Sequence, residues 1–260
     1  MKNILSFLIV FSIFLLIASF KSLQQNSGLP KEVEKAFEKA LDFAKQKKDK
    51  PHFTYYFEDD LEKGNYNSIK VNIDYGAFFN KNDKFLILTC EYHKLSDDKY
   101  YRVYLKESDS FKLLVEEYTN HGEQPIFMEI NGDENIDFVI PYSPSSGCCP
   151  RQSKIVFLYK DKNFVKYNFI NPTFSPKEKI VRGLGYGYFP EVGLYKYKWS
   201  GTKLDTVEYI YRTKESDFKK FIRTKKEIHL PKHSQGEILD FLPKEYQNIN
   251  EIDWFLKEYN

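Results

Sequence analysis

Cysteine is scarce in this chain of 260 residues: only Cys90, Cys148 and Cys149 are present. An odd number allows at most one intramolecular disulfide and leaves one thiol over. Cys90 stands in a strand-like run, whereas the other two are neighbours in a turn rich in serine and proline. The alternatives are a bridge from Cys90 to one neighbour, a strained bridge between the neighbours, or buried free thiols. A zinc site would need four nitrogen or sulfur ligands at recognisable spacing, which the sequence does not contain.

The chain also lacks an excess of charge of either sign. It has 39 basic and 37 acidic residues, for a formal net charge of +2. The basic residues are overwhelmingly lysine, which cannot form the bidentate contacts by which arginine recognises bases and phosphates. The composition therefore predicts no nucleic-acid partner.

Signatures of catalysis are missing as well, since the sequence holds no nucleophile elbow or other serine–histidine–aspartate pattern. His229 and His233 are four residues apart, but Pro231 between them argues against a shared helical face. Paired acids at positions 59–60 and 97–98 lie in turn-like text and are predicted to be solvated. We predict that the protein is not an enzyme. The alternative is an extracytoplasmic hydrolase of envelope or extracellular polymers, which would need two acids flanking a groove.

A pattern typical of export is present at the N-terminus. Residues 1–3 are short and positive, and residues 4–20 are an unbroken run of apolar residues and serines. We expect residues 1–22 to be a signal peptide and the protein to be periplasmic or extracellular. The alternative is an uncleaved anchor, because the run reaches the lower edge of the roughly 17–25 residues that span a bilayer. An uncleaved leader is the only membrane contact that we expect.

Aromatic residues make up 17% of the chain and favour half-buried, pleated surfaces. Beyond Pro51 the apolar residues alternate with a period of two, which predicts strands. Hairpin turns are predicted at 160–163 and 200–202. The predicted fold class is mainly β, with antiparallel sheets in a sandwich, a barrel or a partial propeller. Ten strands are predicted, at 69–75, 85–93, 101–106, 111–118, 126–130, 136–142, 154–159, 164–169, 192–199 and 204–211.

Helical spacing appears near both ends of the mature chain. Apolar residues between 29 and 48 recur at helical intervals, which predicts an amphipathic N-terminal helix packed on the sheets. Short helices are predicted at 215–222 and 251–259. The predicted organisation is a signal peptide (1–22), an N-terminal helix (29–50), a β-rich domain (51–213) and a mixed C-terminal segment (214–260) packed on that domain.

The clearest functional pattern lies between two predicted strands. Calcium prefers six to eight oxygen ligands from carboxylates, amides and backbone carbonyls. We expect this segment to bend so that its oxygens converge as a calcium site. The alternative is a turn held without metal by hydrogen bonds from its own side chains. Oxygen-bearing side chains occupy every second position: Glu129, Asn131, Asp133, Asn135 and Asp137.

This segment resembles the Asp-x-Asn-x-Asp-Gly-x-x-Asp calcium loops of FG-GAP and VCBS repeat proteins, which form the blades of integrin-like propellers. Two departures from that pattern are a glutamate at the first acid and Glu134 in place of the glycine whose positive φ eases the turn. Only one copy is present. The resemblance implies that the ligands at positions one, three, five, seven and nine are Glu129, Asn131, Asp133, Asn135 through its carbonyl, and Asp137.

A wider resemblance joins the leader, the β-rich body, the single loop and the Gly-Cys-Cys-Pro turn at 147–150. Together they are similar to exported bacterial proteins, some of which look like periplasmic lysozyme inhibitors or immunity proteins. That resemblance implies a binding protein that blocks an envelope hydrolase with a protruding loop. The candidate loops are residues 143–151 and 182–191.

The second of these loops is rich in glycine and aromatic residues. Glycine spacing can cradle a phosphate only where a helix begins after it, and here tyrosine, phenylalanine and proline follow instead. We predict a flexible aromatic loop that contacts a partner protein, because tyrosine and arginine are favoured interface anchors. The remaining alternative is a structural envelope protein. The predicted contact residues are Arg182, Tyr186, Tyr188 and Phe189.

Overall fold

The computed structural model describes residues 28–47, 49–60, 68–93, 97–144, 151–188 and 191–257. The predicted signal peptide, the adjacent Cys148 and Cys149, and Phe189 lie outside the described residues. Within these ranges no helix is long and apolar enough to span a bilayer.

Three antiparallel sheets contain the described strands, and none of the three closes into a barrel. In each sheet the strands are neighbours in sequence order, so each sheet is a meander. Sheet A contains β1 (Phe53–Asp60), β2 (Ser68–Gly76), β3 (Phe85–His93), β4 (Asp97–Glu107) and β5 (Ser110–Asn120). Sheet B contains β6 (Ile126–Met128), β7 (Asp137–Tyr142), β8 (Ser153–Lys160) and β9 (Asn163–Ile170). Sheet C contains β10 (Pro172–Ser175), β11 (Ile180–Leu184), β12 (Leu194–Ser200), β13 (Lys203–Arg212), β14 (Phe221–Thr224) and β15 (Glu237–Leu239).

The three sheets stack face to face, with sheet B in the middle. Successive side chains of a strand point to opposite faces, so β3 directs Phe85 and Ile87 towards sheet B and Leu86 and Leu88 away from it. On its other face sheet B packs against sheet C, where Trp199 is buried among side chains of both sheets. The prediction of a mainly β protein with antiparallel sheets is confirmed.

Two further segments cover the outer faces of the stack. Helix α1 (Lys31–Gln46) buries its apolar stripe on sheet A, which confirms the predicted N-terminal helix. The chain after β15 runs through a 3₁₀ turn, Lys244–Tyr246, to the short helix α2 (Ile252–Leu256). Phe255 of α2 is buried against apolar side chains of sheet C. The protein is therefore a five-layer stack.

A buried arginine holds α1 to sheet A. Arg102 of β4 donates through its two terminal nitrogens to the two carboxylate oxygens of Glu34, at 3.0 and 2.6 Å. Its Nε donates to Glu116 of β5 at 2.7 Å. The guanidinium also lies 4.6 Å from the ring centroid of Phe37. One side chain thus joins the helix to two strands.

The ten predicted strands are all present, and both hairpin turns are confirmed. Asp161 and Lys162 have φ values of 50° and 62° between β8 and β9, and Gly201 has a φ of 61° between β12 and β13. Such left-handed residues match the right-handed twist of the paired strands. Strands β1, β10, β11, β14 and β15 were not predicted.

Two sequence predictions are wrong in part. The helix predicted at 215–222 is a 3₁₀ turn, Lys214–Ser216, followed by β14, because the backbone of residues 221–224 pairs with β13 on one side and β15 on the other.

The flexible loop predicted from residue 182 begins later, since Arg182, Gly183 and Leu184 belong to β11. Gly183 is needed there because a Cβ would lie 2.2 Å from the hydroxyl of Tyr195.

Cys90 is a free thiol in β3, fully buried beneath α1. Burial raises the pKa of this thiol to about 12. Its side chain points to the helix-covered face of sheet A, away from sheet B. The predicted alternatives that involve Cys148 and Cys149 lie outside the described residues.

Candidate functional site

The oxygen-rich segment forms the connection between β6 and β7, where the chain turns back on itself as predicted. Gly132 and Glu134 both adopt positive φ, at 77° and 70°. Glu134 therefore takes the left-handed conformation at the position where the repeat pattern has glycine. Gly132 is close to sheet C, because a Cβ there would lie 2.5 Å from the carbonyl oxygen of Pro176.

The side chains of this loop bond to its own backbone. Oε1 of Glu129 accepts hydrogen bonds from the amides of Gly132 and Asp133. Oδ1 of Asp133 accepts from the amide of Asn135 at 3.0 Å. These are the local bonds of a self-closed turn, and they hold the first two acids of the pattern in place.

Asp137 is the only fully buried acid among the described residues and lies at the start of β7. One carboxylate oxygen accepts from the amide of Ile130 at 3.0 Å, and the other from the amide of Tyr159 at 2.9 Å. The pKa of Asp137 is raised to about 7, mainly by burial and also by the charges of Asp133 and Glu129, whereas the two backbone donors lower it. The charges of Asp133 and Glu129 therefore act on the Asp137 carboxyl group.

Asn131 of this loop has an unsatisfied hydrogen-bond acceptor. It is 2% exposed, and its Nδ2 donates to Asp133 and to the carbonyl oxygen of Gly201, each at 3.2 Å. Its Oδ1 is buried and has no hydrogen-bond partner in the described part of the chain. An unpaired buried amide oxygen on a side chain that also contacts the Asp133 carboxylate fits the oxygen chemistry of a calcium site.

The described residues contain no cluster of three or more His, Cys, Asp or Glu side chains placed to hold a metal ion. A calcium ion at this loop would therefore draw on amide and carbonyl oxygens as well as on carboxylates. The predicted ligands Glu129, Asn131, Asp133 and Asp137 do share the loop, whereas Asn135 contributes a backbone amide to Asp133.

The predicted partner-binding residues do not share one environment. Arg182 is 6% exposed, and its Nη1 lies 2.7 Å from Glu178, so it sits within sheet C beside a local ion pair. Tyr186 and Tyr188 follow the end of β11 and are 40% and 73% exposed. The guanidinium of Arg151 lies 4.5 Å from the ring centroid of Tyr186. The exposed part of the predicted loop thus begins at Tyr186.

Beside Tyr186 the structure has a cavity of about 240 Å³, where the end of β9 meets β12 and β13. We call it the tyrosine pocket, because its walls carry Tyr186, Tyr195, Tyr197, Tyr209 and Tyr211. This pocket was not predicted from the sequence. A signal was present: two tyrosines two residues apart in each of two strands joined by a short hairpin share one face of a sheet.

Two carboxylates line the tyrosine pocket as well. Glu227 and Glu191 belong both to this pocket and to an adjoining hollow of about 270 Å³. Burial is the main cause that raises the pKa of Tyr211 to about 12, and the charge of Glu227 adds to it. Burial also raises the pKa of Tyr197, to which Glu227 again contributes. The negative charge of Glu227, an exposed residue, therefore raises the pKa of two tyrosines of the pocket.

The hydroxyls inside the tyrosine pocket are mostly bound to the protein. Tyr195 donates to the carbonyl of Ile170 at 2.8 Å, and Tyr211 accepts from the amide of Ile228 at 3.2 Å. The hydroxyls of Tyr197 and Tyr209 lie 3.2 Å apart and bond to each other. These contacts fix the rings before any ligand arrives.

The histidines that stand four residues apart are separated by their partners. His229 lies 3.4 Å from Glu191, whereas His233 lies 3.4 Å from Glu215. They contact different acids and form no common site.

Comparisons of the chain with protein-family models, with curated proteins and with solved structures found no match.

Proposed function

We propose that this is an exported binding protein that recognises a protein partner with Tyr186, Tyr188 and the adjoining tyrosine pocket. The observation that carries the proposal is that the exposed Tyr186 lines a preformed aromatic cavity, with the still more exposed Tyr188 two residues further along the chain. Tyrosine supplies a large contact area at low cost in side-chain entropy, and interface anchors commonly pair with pockets.

The proposed partner is an envelope hydrolase, which the protein inhibits or to which it gives immunity. The exposed tyrosines follow β11, which is paired with a strand on each side in sheet C, so a partner would meet them next to a strand that is held within a sheet. Support also comes from the export pattern of the first 22 residues and from the resemblance to periplasmic inhibitors.

Affinity capture from an envelope extract tests this proposal. Tyr188→Ser should lower the recovery of a saturable partner, and the double variant with Tyr186→Ser should lower it further, because both remove exposed aromatic area. Tyr56→Ser is the matched control, since Tyr56 is 49% exposed on β1 at the opposite side of the stack. Equal recovery with all of these variants would refute the proposed surface.

We also propose that calcium stabilises the loop between β6 and β7. The unpaired Oδ1 of Asn131 and the charges of Glu129 and Asp133, which help to raise the pKa of the buried Asp137, support it. A bound cation would supply charge neutralisation there, and the amide oxygen of Asn131 would hold it together with carboxylate and backbone carbonyl oxygens of the loop.

Thermal melting of metal-stripped protein tests the calcium proposal. Added calcium should raise the melting temperature, and Asp133→Asn should remove that rise because it takes one charge from the loop. Asp205→Asn, at an exposed position of β13, is the control and should retain the calcium response. A melting temperature that calcium leaves unchanged in the unsubstituted protein would exclude this role.

A hydrolase is the second candidate function, and the observation in its favour is that Glu191 and Glu227 line the same pocket. Two acids across a groove are the minimal requirement for glycoside hydrolysis. Release of reducing ends from envelope polysaccharide, lost in both Glu191→Gln and Glu227→Gln, would support it. If the unsubstituted protein releases no more reducing ends than the variant that carries both substitutions, the hydrolase function is excluded.

A further inference from the structure

We infer that the tyrosine pocket binds an organic cation, specifically the alkylammonium group of a lysine side chain presented by the partner. This inference rests on the proposed binding function and adds the chemistry of the group that is recognised. It follows from three properties of the pocket: the arrangement of its rings, its charge and its size.

The rings of the pocket form walls of more than one orientation. Tyr195 and Tyr197 stack with centroids 4.9 Å apart, and Tyr209 stands at 83° to Tyr197. The Tyr211 ring continues the wall beside Tyr209, at an interplanar angle of 29°. Aromatic faces carry negative potential and attract cations within about 6 Å of the ring centroid. Arg151 already makes such a contact on Tyr186.

The charge of the pocket has one sign. Its lining residues, all within the described ranges, include Glu191 and Glu227 but no lysine or arginine. Two cationic groups lie nearby without lining the pocket: Arg151, 4.5 Å from the ring centroid of Tyr186, and His229, which lines the adjoining hollow and carries charge only when protonated. The hydroxyl oxygens of Tyr197 and Tyr209 keep lone pairs after bonding to each other, and these can accept from an ammonium group.

The volume of the pocket limits what can enter. At about 240 Å³ it lies below the roughly 300–1,000 Å³ typical of sites for drug-sized ligands. A single side chain fits this space, whereas a polymer chain would require a continuous groove. A long, flexible lysine stem can place its ammonium between the rings while its methylenes pack on them.

Direct binding of small probes to the purified protein tests the inference. The cationic probe is Nα-acetyl-lysine methylamide, whose side-chain ammonium group is free. N-acetyl-norleucine methylamide is the uncharged counterpart of similar shape. Saturable binding should be followed by chemical shifts of the tyrosine rings or by calorimetry. The lysine probe should bind on the order of tenfold more tightly than the norleucine probe, and added salt should reduce the difference.

Two substitutions place the binding in the pocket. Glu227→Gln should weaken lysine-probe binding several-fold and leave norleucine-probe binding unchanged, because it removes charge and keeps shape. Tyr209→Leu should weaken it as well, because it removes an aromatic wall. Asp205→Asn lies on β13 outside the pocket lining and should have no effect. An unchanged melting temperature in Glu227→Gln, whose side chain is exposed, shows that the variant is folded.

The outcomes separate this inference from the proposed function. Equal affinity for both probes, no saturable binding of either, or lysine-probe binding that ignores both pocket variants would overturn the inference. Partner capture that depends on Tyr188 would then still support the binding function. Conversely, selective lysine-probe binding without any captured partner would support the cation pocket and count against the proposed function.

Discussion

At the scale of single residues, Asp137 is the most consequential side chain of the loop. Both of its oxygens accept backbone amides, so it joins the loop to β8 through Tyr159 and closes the loop through Ile130. A carboxyl group buried in this way has a pKa of about 7, compared with 3.8 in its ordinary state. Its protonation therefore differs between the folded and unfolded chains near neutral pH.

Asp137 should make the stability of the protein fall as pH rises from about 4 to about 7. In this window the unfolded chain has released the proton and the folded chain retains it, so folding binds a proton and weakens as pH rises. The slope from this residue is at most about 1.4 kcal/mol per pH unit. Urea denaturation across pH 4–7 of the unsubstituted protein and of Asp137→Asn measures it.

The Asp137→Asn variant should lack this slope, because an amide does not titrate between pH 4 and pH 7. The stability gap between the two proteins, which is the free energy of unfolding of the unsubstituted protein minus that of the variant, should therefore decrease as pH rises. Asp205→Asn serves as the control for the loss of one charge. A gap that is constant from pH 4 to pH 7 would contradict the assigned pKa.

Residue spacing predicted the bend between β6 and β7 but not the bonding inside it. Alternation places oxygens on one side of a turn, so the reversal of the chain follows from the pattern. Which oxygens bond to amides depends on the left-handed residues Gly132 and Glu134 and on contact with Gly201. That contact comes from a hairpin of sheet C, and local sequence carries no information about it.

At the scale of secondary-structure elements, the attachment of α1 depends on Arg102. The Arg102 side chain is 7% exposed, whereas Glu34 and Glu116 each retain about a third of their side-chain exposure. The desolvation cost therefore falls mainly on the arginine. Its removal would leave two partly exposed acids facing each other and an unfilled space beside Phe37.

Arg102→Met should lower the free energy of unfolding by about 2–3 kcal/mol, at the lower end for a broken buried ion pair because the glutamates are partly solvated. Chemical denaturation measures the loss. Lys31→Met, at an exposed position of α1, is the control and should change stability by less than about 0.5 kcal/mol. Adding Glu34→Gln to Arg102→Met should recover part of the loss, and a loss equal to that of the control would refute the role of Arg102.

Strands with a clear period of two were predictable, and those without it were not. Strand β10 begins with proline, and β15 is only three residues long and largely exposed. Strand β11 carries glycine in a run that was assigned to a flexible loop, but it is held between β10 and β12. In these strands the pairing partner determines the structure, and a single stretch of sequence does not show its partner.

At the scale of the whole molecule, the five layers leave both outer sheets covered by segments near the chain ends. Phe255 of α2 is fully buried on sheet C. Arg212 of β13 reinforces this cover, because its Nη1 donates to the carbonyl oxygens of Phe255 and Lys257 at 3.2 and 2.8 Å. The C-terminal segment is therefore part of the core.

Phe255→Ala should lower the free energy of unfolding by about 3–5 kcal/mol through lost burial and a residual cavity. The neighbouring Leu256→Ala is the matched control, since Leu256 is 40% exposed and its loss should cost far less. Thermal and urea denaturation of both variants measures the two losses of stability. Similar losses in the two variants would show that the C-terminal segment does not pack as described.

Most strands and two of the hairpins were predictable from the sequence, but the stacking of the sheets was not. All three sheets are rich in tyrosine and phenylalanine on their buried faces, so their apolar surfaces look alike in the sequence. The tyrosine pocket depends on that stacking, because its walls come from sheet C and its floor includes Phe169 and Ile170 of sheet B. A pocket lined by two sheets can be identified only when the packing of those sheets is known.

The meander order has a consequence for how the protein is made. Because every sheet consists of consecutive strands, each can hydrogen-bond completely as soon as its own residues leave the ribosome. The apolar face of sheet A that packs on sheet B would then stay exposed to solvent until sheet B emerges. The same holds for the face of sheet B that packs on sheet C. Nascent chains halted between these points would be prone to aggregate, and a chaperone would be needed most at those two boundaries.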